Sequence, residues 1–257
     1  MQGELALWHQ YVLIWIFLLL FLTNIPMVTK SRILLAEDDL SLGYVIKDSL
    51  VDAGYEVVLC PDGQTTIDKF SETNFDICLL DVMMPNKDGF TVLKWIRQQT
   101  NQIPILMITA KSMEEDRIHG FEYGADDYIC KPFSMQELVK RIEVFLRRTK
   151  KLHSDRPRRF TIGKMNFSYI DLTLTLGDEA HSVTQKEADL LLFLCEHPNQ
   201  VLRREEILEE VWGKNDFYLG RSMDVFITKL RNYFKADNSI RIETIHGTGF
   251  RFHANIR

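Results

Sequence analysis

Five side chains in the first half of the sequence are of types that could share one site. Glu37 and Asp38 follow the apolar run ILLA, Asp81 follows DICLL, Thr109 closes PILMIT, and Lys131 follows DYIC. Carboxylates brought together repel, and their pKa values rise unless a cation sits among them. An all-oxygen cluster that keeps its waters suits Mg2+. An ammonium and a hydroxyl on the same rim would receive further anionic oxygens, and a phosphoryl group carried on an aspartate fits that demand. Asp39, the third acid of EDDL, is expected only to cap the helix that follows, an ordinary place for Asp.

For these residues to meet, each must close a strand of the same sheet. Short apolar runs recur as RILLA (32–36), YEVVL (55–59), FDICLL (75–80), PILMITA (104–110) and DYIC (127–130). Between them lie helical patterns with i, i+3, i+4 spacing, such as Leu42, Val45, Ile46, Leu50 and Leu138, Ile142, Phe145, Leu146. This alternation predicts five βα units over 31–148, an α/β fold with a doubly wound parallel sheet covered on both faces. Ligands of such sheets gather at the carboxyl ends of the strands, where the five side chains fall.

The pattern then changes. KKLHSDRPRR (150–159) is charged with little to bury, and reads as a linker. RFTIGKMNFSYIDLTLTLGDEAHSV follows as short strand-like runs and turns. Thr184 can cap QKEADLLLFLCEHP, with Glu187 placed for a capping box. RREEILEEVWG reads as a second helix ending at Gly213, and RSMDVFITKLRNYFK as a third with Met223, Ile227, Leu230 and Phe234 inward. IRIETIHGTGFRFHA reads as a hairpin around HGTG. Three helices and a hairpin meet the needs of an α+β winged helix-turn-helix, with Arg221, Thr228, Lys229 and Arg231 outward on the third helix.

At 257 residues the chain has room for two domains. The formal net charge of −5 divides as −6 over 30–149 and +2 over 150–257, with Glu4 supplying the rest. Cys60, Cys78, Cys130 and Cys195 show no CxxC spacing, which argues against a zinc site or a disulfide scaffold and for reduced thiols.

LLAEDD, LLDVMMPNKDGF, PILMITA and GADDYICKPF, in this order and spacing, resemble the receiver domain of two-component response regulators. The resemblance implies Asp81 as phosphoacceptor and a Mg2+ site of Glu37, Asp38, Asp81 and the Met83 carbonyl. It gives Lys131 and Thr109 the phosphoryl oxygens, makes Tyr128 the aromatic whose rotamer follows Thr109, and implies a cis Lys131–Pro132 bond. TQKEADLLLFL, REEILEEVWG, RSMDVFITKLR and IETIHGTGFRF resemble the effector of the OmpR/PhoB subfamily. That implies DNA contacts from Arg221, Thr228, Lys229 and Arg231, a wing reaching the minor groove through His246 and Thr248, and RNA polymerase contact near Trp212. Phe226 and Thr228 stand where the family often has His and Arg, and His246 replaces a wing Arg. Fewer fixed cations predict a shallower salt dependence.

The subfamily pairs through its fourth helix, fifth strand and fifth helix. Two matching charge pairs are Arg117 with Glu137 and Asp127 with Arg141; Glu122 and Asp126 instead face a position held by Glu143, an unfavourable match. The implied protein is a cytoplasmic transcriptional regulator rather than an enzyme. A sensor histidine kinase phosphorylates it, and it binds promoter DNA, arranged as direct repeats, as a homodimer. One alternative is a phosphorylation-independent DNA-binding regulator whose receiver only dimerises. Another, a phosphatase or phosphotransferase, lacks a second Asp two residues after Asp81, where Met83 stands.

YVLIWIFLLLFL (11–22) lies in an uncharged run from Ala6 to Leu22, at the short limit for a membrane span. It lacks the preceding basic residues and the cleavage site of a signal peptide. Met27 opens MVTKSRILLAEDD, so residues 1–26 are read as upstream sequence from a misassigned start, with a membrane anchor as the alternative. The expected boundaries are a receiver over 27–149, a linker over 150–158 and an effector over 159–257.

Overall fold

The structure, a computed structural model, describes residues 30–110, 120–150, 159–213 and 217–257. The apolar N-terminal stretch, nearly all of the linker and Arg117 lie outside the described residues. The five apolar runs form β1 (Arg32–Ala36), β2 (Glu56–Cys60), β3 (Ile77–Asp81), β4 (Ile105–Ala110) and β5 (Asp127–Lys131). All pair in parallel in the order β2-β1-β3-β4-β5. Helices α1 (Leu40–Asp52), α2 (Gly63–Glu72), α3 (Gly89–Gln99) and α4 (Met135–Lys150) connect or follow the strands, with a further helical turn at 120–122. Alternate strand residues feed the two faces. Ile33, Leu35, Ile77, Leu79, Leu106 and Ile108 pack under Ile46, Leu50, Leu138 and Ile142, while Leu34, Ala36, Cys78, Leu80 and Met107 face the other way. This is the two-sided burial that parallel strands require.

Strand order reverses between β1 and β3, the switch point at which a ligand crevice opens in such sheets. The register Ala36↔Leu80 brings the residues after β1 beside Asp81. Asp39 caps α1, accepting from the Ser41 and Leu42 backbone N–H groups at 2.9 and 3.1 Å. Gly89 opens α3 so close to β3 that a Cβ would strike the Asp81 carbonyl oxygen.

The second half is the expected α+β arrangement. Strands β6 (Arg159–Ile162), β7 (Met165–Ser168), β8 (Thr173–Leu176) and β9 (Glu179–Ser182) form an antiparallel meander. Then come α5 (Gln185–Glu196), β10 (Val201–Arg203), α6 (Arg204–Trp212) and α7 (Phe217–Phe234). The hairpin of β11 (Arg241–Ile245) and β12 (Gly249–His253) pairs with β10 as a three-stranded sheet. Thr184 and Glu187 make the expected reciprocal capping box, and Gly213 ends α6 in the left-handed region at φ 79°. Met223, Ile227, Leu230 and Phe234 are all buried, so the third helix docks by the stripe its sequence shows. It begins at Phe217, one turn earlier than its periodicity suggests.

Candidate functional site

At the carboxyl ends of β1, β3 and β5 the structure brings Glu37, Asp38, Asp81 and Lys131 together. Lys131 Nζ donates to Asp81 Oδ2 at 2.5 Å and to Glu37 Oε1 at 2.8 Å. One ligand oxygen from each of Glu37, Asp38 and Asp81 can be chosen so that all three lie within 4.8 Å of one another. Asp81 Oδ1 accepts from the Met83 backbone N–H at 3.1 Å. Glu37 is wholly buried, and its Oε2 has no hydrogen-bond partner. Burial pushes the Glu37 carboxyl up to about 7, with the neighbouring Asp81 charge adding to the rise against the pull of Lys131. Burial works against the Lys131 ammonium, but Asp81 and Glu37 outweigh it, and its pKa stands above the usual lysine value. Three carboxylates against one cation leave a negative surplus, and an orphaned buried oxygen within it. That donor set, all oxygen and partly open through Asp38, fits a hard divalent cation.

Thr109 and Tyr128 complete the neighbourhood. Thr109 follows Ile108, which pairs with Asp81, and lies opposite Cys130 on β5. Tyr128 is buried, its ring 4.6 Å from Phe121, and its hydroxyl occupies the space a Cβ at Gly120 would need. The Lys131–Pro132 bond is cis.

The expected pairing face differs in detail from its sequence reading. Asp127 Oδ2 meets Arg141 Nη1 at 2.6 Å within the chain, and Arg141 Nη2 reaches Glu137 Oε1 at 2.9 Å. Asp126, expected on the pairing face against the position held by Glu143, is instead completely buried. Its Oδ2 takes Arg97 Nη2 at 2.6 Å and the Ile105 N–H at 2.8 Å, while its Oδ1 accepts from the Lys186 N–H at 3.2 Å. Burial raises the Asp126 pKa against the opposing pull of Arg97. The physical reason is register: with Asp127 opposite Leu106 on β4, the residue before it falls against the start of that strand.

On the effector, Thr228 is exposed on α7 and bonds back to the Asp224 carbonyl, while His246 at the hairpin tip is exposed and Thr248 half-buried. Lys229 and Arg231, read as outward, are tied down within the domain. Lys229 Nζ sits 2.9 Å from Glu187 Oε1, a carboxylate buried by its capping role. Arg231 spans to the Ile242 carbonyl at 2.7 Å and Thr244 Oγ1 at 2.8 Å on β11. The side chain of Arg221 lies outside those described. The sequence reading missed Arg97 and Lys186. The doubled acid in GADDY, two adjacent Asp entering a buried strand, was the available sign that one must turn inward onto a cation.

Comparison with known proteins agrees with this geometry. Residues 33–143 match the response regulator receiver domain, and residues 178–252 match the C-terminal domain of transcriptional regulatory proteins. The transcriptional regulatory protein RprY of Bacteroides fragilis is 44% identical over 88% of this chain and 96% of its own. The response regulator ArlR of Staphylococcus aureus is 38% identical over 86% of this chain and 98% of its own. A solved structure of a RitR mutant superposes with a TM-score of 0.68 at 25% identity, over 88% of this chain and 100% of that one. The protein is a two-component transcriptional regulator with a receiver and a DNA-binding domain, and it belongs to the OmpR/PhoB subfamily of response regulators.

Proposed function

We propose that Asp81 accepts a phosphoryl group from a phosphohistidine on a sensor kinase, and that this acyl phosphate governs how the winged helix engages promoter DNA. A carboxylate oxygen of Asp81 forms the new P–O bond as the P–N bond to the imidazole breaks, and water later returns the switch to its free form. The observation that carries this reading is the surplus of negative charge around Lys131, with Glu37 Oε2 buried and unpartnered beside Asp81. Glu37, Asp38, Asp81 and the Met83 carbonyl would hold Mg2+, which supplies positive charge against the phosphoryl oxygens. The Met83 N–H fixes one Asp81 oxygen and Lys131 bonds the other, which supports the reading in which Lys131 and Thr109 receive the transferred oxygens.

The remaining assignments follow from this. Arg221, Thr228, Lys229 and Arg231 meet DNA from α7, and His246 and Thr248 from the hairpin; Lys229 and Arg231 must then exchange their internal partners for phosphates. The receiver spans 27–149, the linker 150–158 and the effector 159–257. Among the described residues no helix is long and apolar enough to cross a membrane. The test is labelling of the full chain by acetyl phosphate with and without Mg2+. Label that requires Mg2+ and disappears in Asp81→Asn supports the reading. No label on the wild type, together with unchanged promoter binding by Asp81→Asn, would leave the receiver as a constitutive pairing domain.

A further inference from the structure

The effector holds a buried carboxylate that the phosphoryl reaction does not use. Glu187 is the third residue of α5, and both of its oxygens have partners. Oε2 accepts from the Thr184 backbone N–H at 3.0 Å, which closes the capping box, and from the Tyr233 hydroxyl at 3.3 Å. Oε1 accepts from Lys229 Nζ at 2.9 Å. Lys229 and Tyr233 stand four residues apart on α7, so they share one face of that helix and meet the same carboxyl group.

The two ends of this ion pair sit in different surroundings. The Glu187 side chain is 2% exposed, whereas that of Lys229 is 21% exposed and follows Thr228, which faces solvent. Lys229 therefore reaches inward from the edge of the stripe that α7 offers to DNA. A carboxylate and a phosphodiester present an ammonium with the same kind of partner, an anionic oxygen. Arg231 differs, because the Ile242 carbonyl and Thr244 Oγ1 that it bonds are neutral, and its charge is still open to a phosphate. The charge of Lys229 is already engaged inside the fold. Its departure would not strand Glu187, although a bare buried carboxylate is costly. The Thr184 N–H and the Tyr233 hydroxyl would stay on Oε2. Burial, with the Glu187 charge adding to it, raises the Tyr233 pKa and keeps that hydroxyl a donor.

We propose that Glu187 is a competitor of DNA built into the effector: it occupies Lys229 in place of a backbone phosphate, and a duplex must draw the lysine off it to gain that contact. The proposal rests on the reading above in which Lys229 meets DNA, and it adds the residue that opposes the contact. Glu187 then helps to set the affinity for DNA without touching it. Removing its charge frees Lys229 and tightens binding with no new residue at the interface.

The test uses the full chain without a phosphodonor, so that the chemistry of Asp81 does not enter. Binding to a short duplex of arbitrary sequence is followed by fluorescence anisotropy over a series of salt concentrations. Glu187→Gln keeps an oxygen for Thr184 and Tyr233, suits the capping box as well as Glu does, and turns an amide nitrogen toward the ammonium. It should tighten binding about fivefold, the worth of a partly exposed ion pair. Adding Lys229→Gln to that variant should abolish the gain and lower the slope of log K against log salt by about 0.9, the loss of one phosphate contact. Thermal unfolding shows which variants fold. Glu187→Asp, which draws the charge back by one methylene, is measured alongside in case Glu187→Gln does not fold, and should tighten binding about twofold. A slope that the added Lys229→Gln leaves unchanged would mean that Lys229 does not meet DNA, and would overturn both that assignment and this proposal. A lowered slope, with no tightening in whichever Glu187 variant folds, would overturn the competitor alone.

Discussion

Strand β5 carries buried charge at both ends, and the two ends are built on opposite rules. At its start Asp126 and Asp127 each have a guanidinium of their own, Arg97 at 2.6 Å and Arg141 at 2.6 Å. Asp126 has further backbone donors on both oxygens, so its hydrogen-bonding capacity is well used. At its end Lys131 is, among the described residues, the one cation paired with Glu37 and Asp81, with Asp38 close by and one buried oxygen left over. Balanced charge holds two pieces of structure together. Unbalanced charge stores a demand for something absent from the chain, and so marks the site of chemistry.

The largest expected effect lies at the balanced end. Arg97→Met would leave the buried Asp126 without its guanidinium, with only the more weakly acting Lys186 as counter-charge, and would also remove the donors to the Gly124 and Ile103 carbonyls. Breaking one partner of such a pair costs about 3–5 kcal/mol, which urea unfolding at pH 7 would register. The loss should shrink toward pH 5 as Asp126, whose pKa burial already raises, takes up a proton. A loss under about 1 kcal/mol would mean that water replaces the guanidinium, and the contrast between the two ends would fail.

The difference between the ends also explains what could be read without coordinates. The surplus end was legible because every member closes a strand in a fixed register, so strand-end identity alone predicts who meets whom. Asp39 was legible as a cap for a similar local reason, and so was the Thr184–Glu187 box. The balanced end was not. Arg97 and Asp126 are 29 residues apart, and only tertiary packing shows that one buries the other. Lys186 was less legible still, since a lysine in TQKEADLL reads as a solvated first-turn residue, and only a second domain covers it. The outward reading of Lys229 failed because Glu187, buried by its own cap, claims the nearest cation.

At the surplus end the sign of the effect reverses. The Glu37 carboxyl stands at about 7 in the folded chain, against 4.5 when unperturbed, with burial the main cause. A raised value means stability that is fully present below the unfolded value and is lost as pH rises through about 7. Glu37→Gln never ionises and escapes that loss. In EDTA, the variant and wild type should match below about pH 4, and the variant should be the more stable by up to about 3 kcal/mol at pH 8. The same variant should bind Mg2+ poorly, so added Mg2+ would favour the wild type alone. A Gln variant less stable than wild type at pH 8 without metal would show that Lys131 already balances the site.

The smallest effect sharpens the comparison with an acid that belongs to neither end. Asp62 caps α2, with its Oδ1 accepting from the Gln64 and Thr65 backbone N–H groups at 2.8 and 3.0 Å and its Oδ2 from the Thr65 hydroxyl at 2.8 Å. The Thr65 N–H, followed by the Thr65 hydroxyl, lowers its pKa below the usual aspartate value, the reverse of Glu37. A lowered value contributes stability that is present above the unfolded pKa and is lost as pH falls through the folded one. Asp62→Ala should therefore cost about 1 kcal/mol at pH 7, and the gap to wild type should close below about pH 4. Asn86, in the loop between β3 and α3, also bonds to Asp62, which brings this cap close to the loop that follows Asp81. If charge surplus rather than mere acidity defines the site, Asp62→Ala should leave the acetyl phosphate labelling rate unchanged. A labelling rate that fell with the cap would extend the site to α2 and move the boundary between structural and reactive acids.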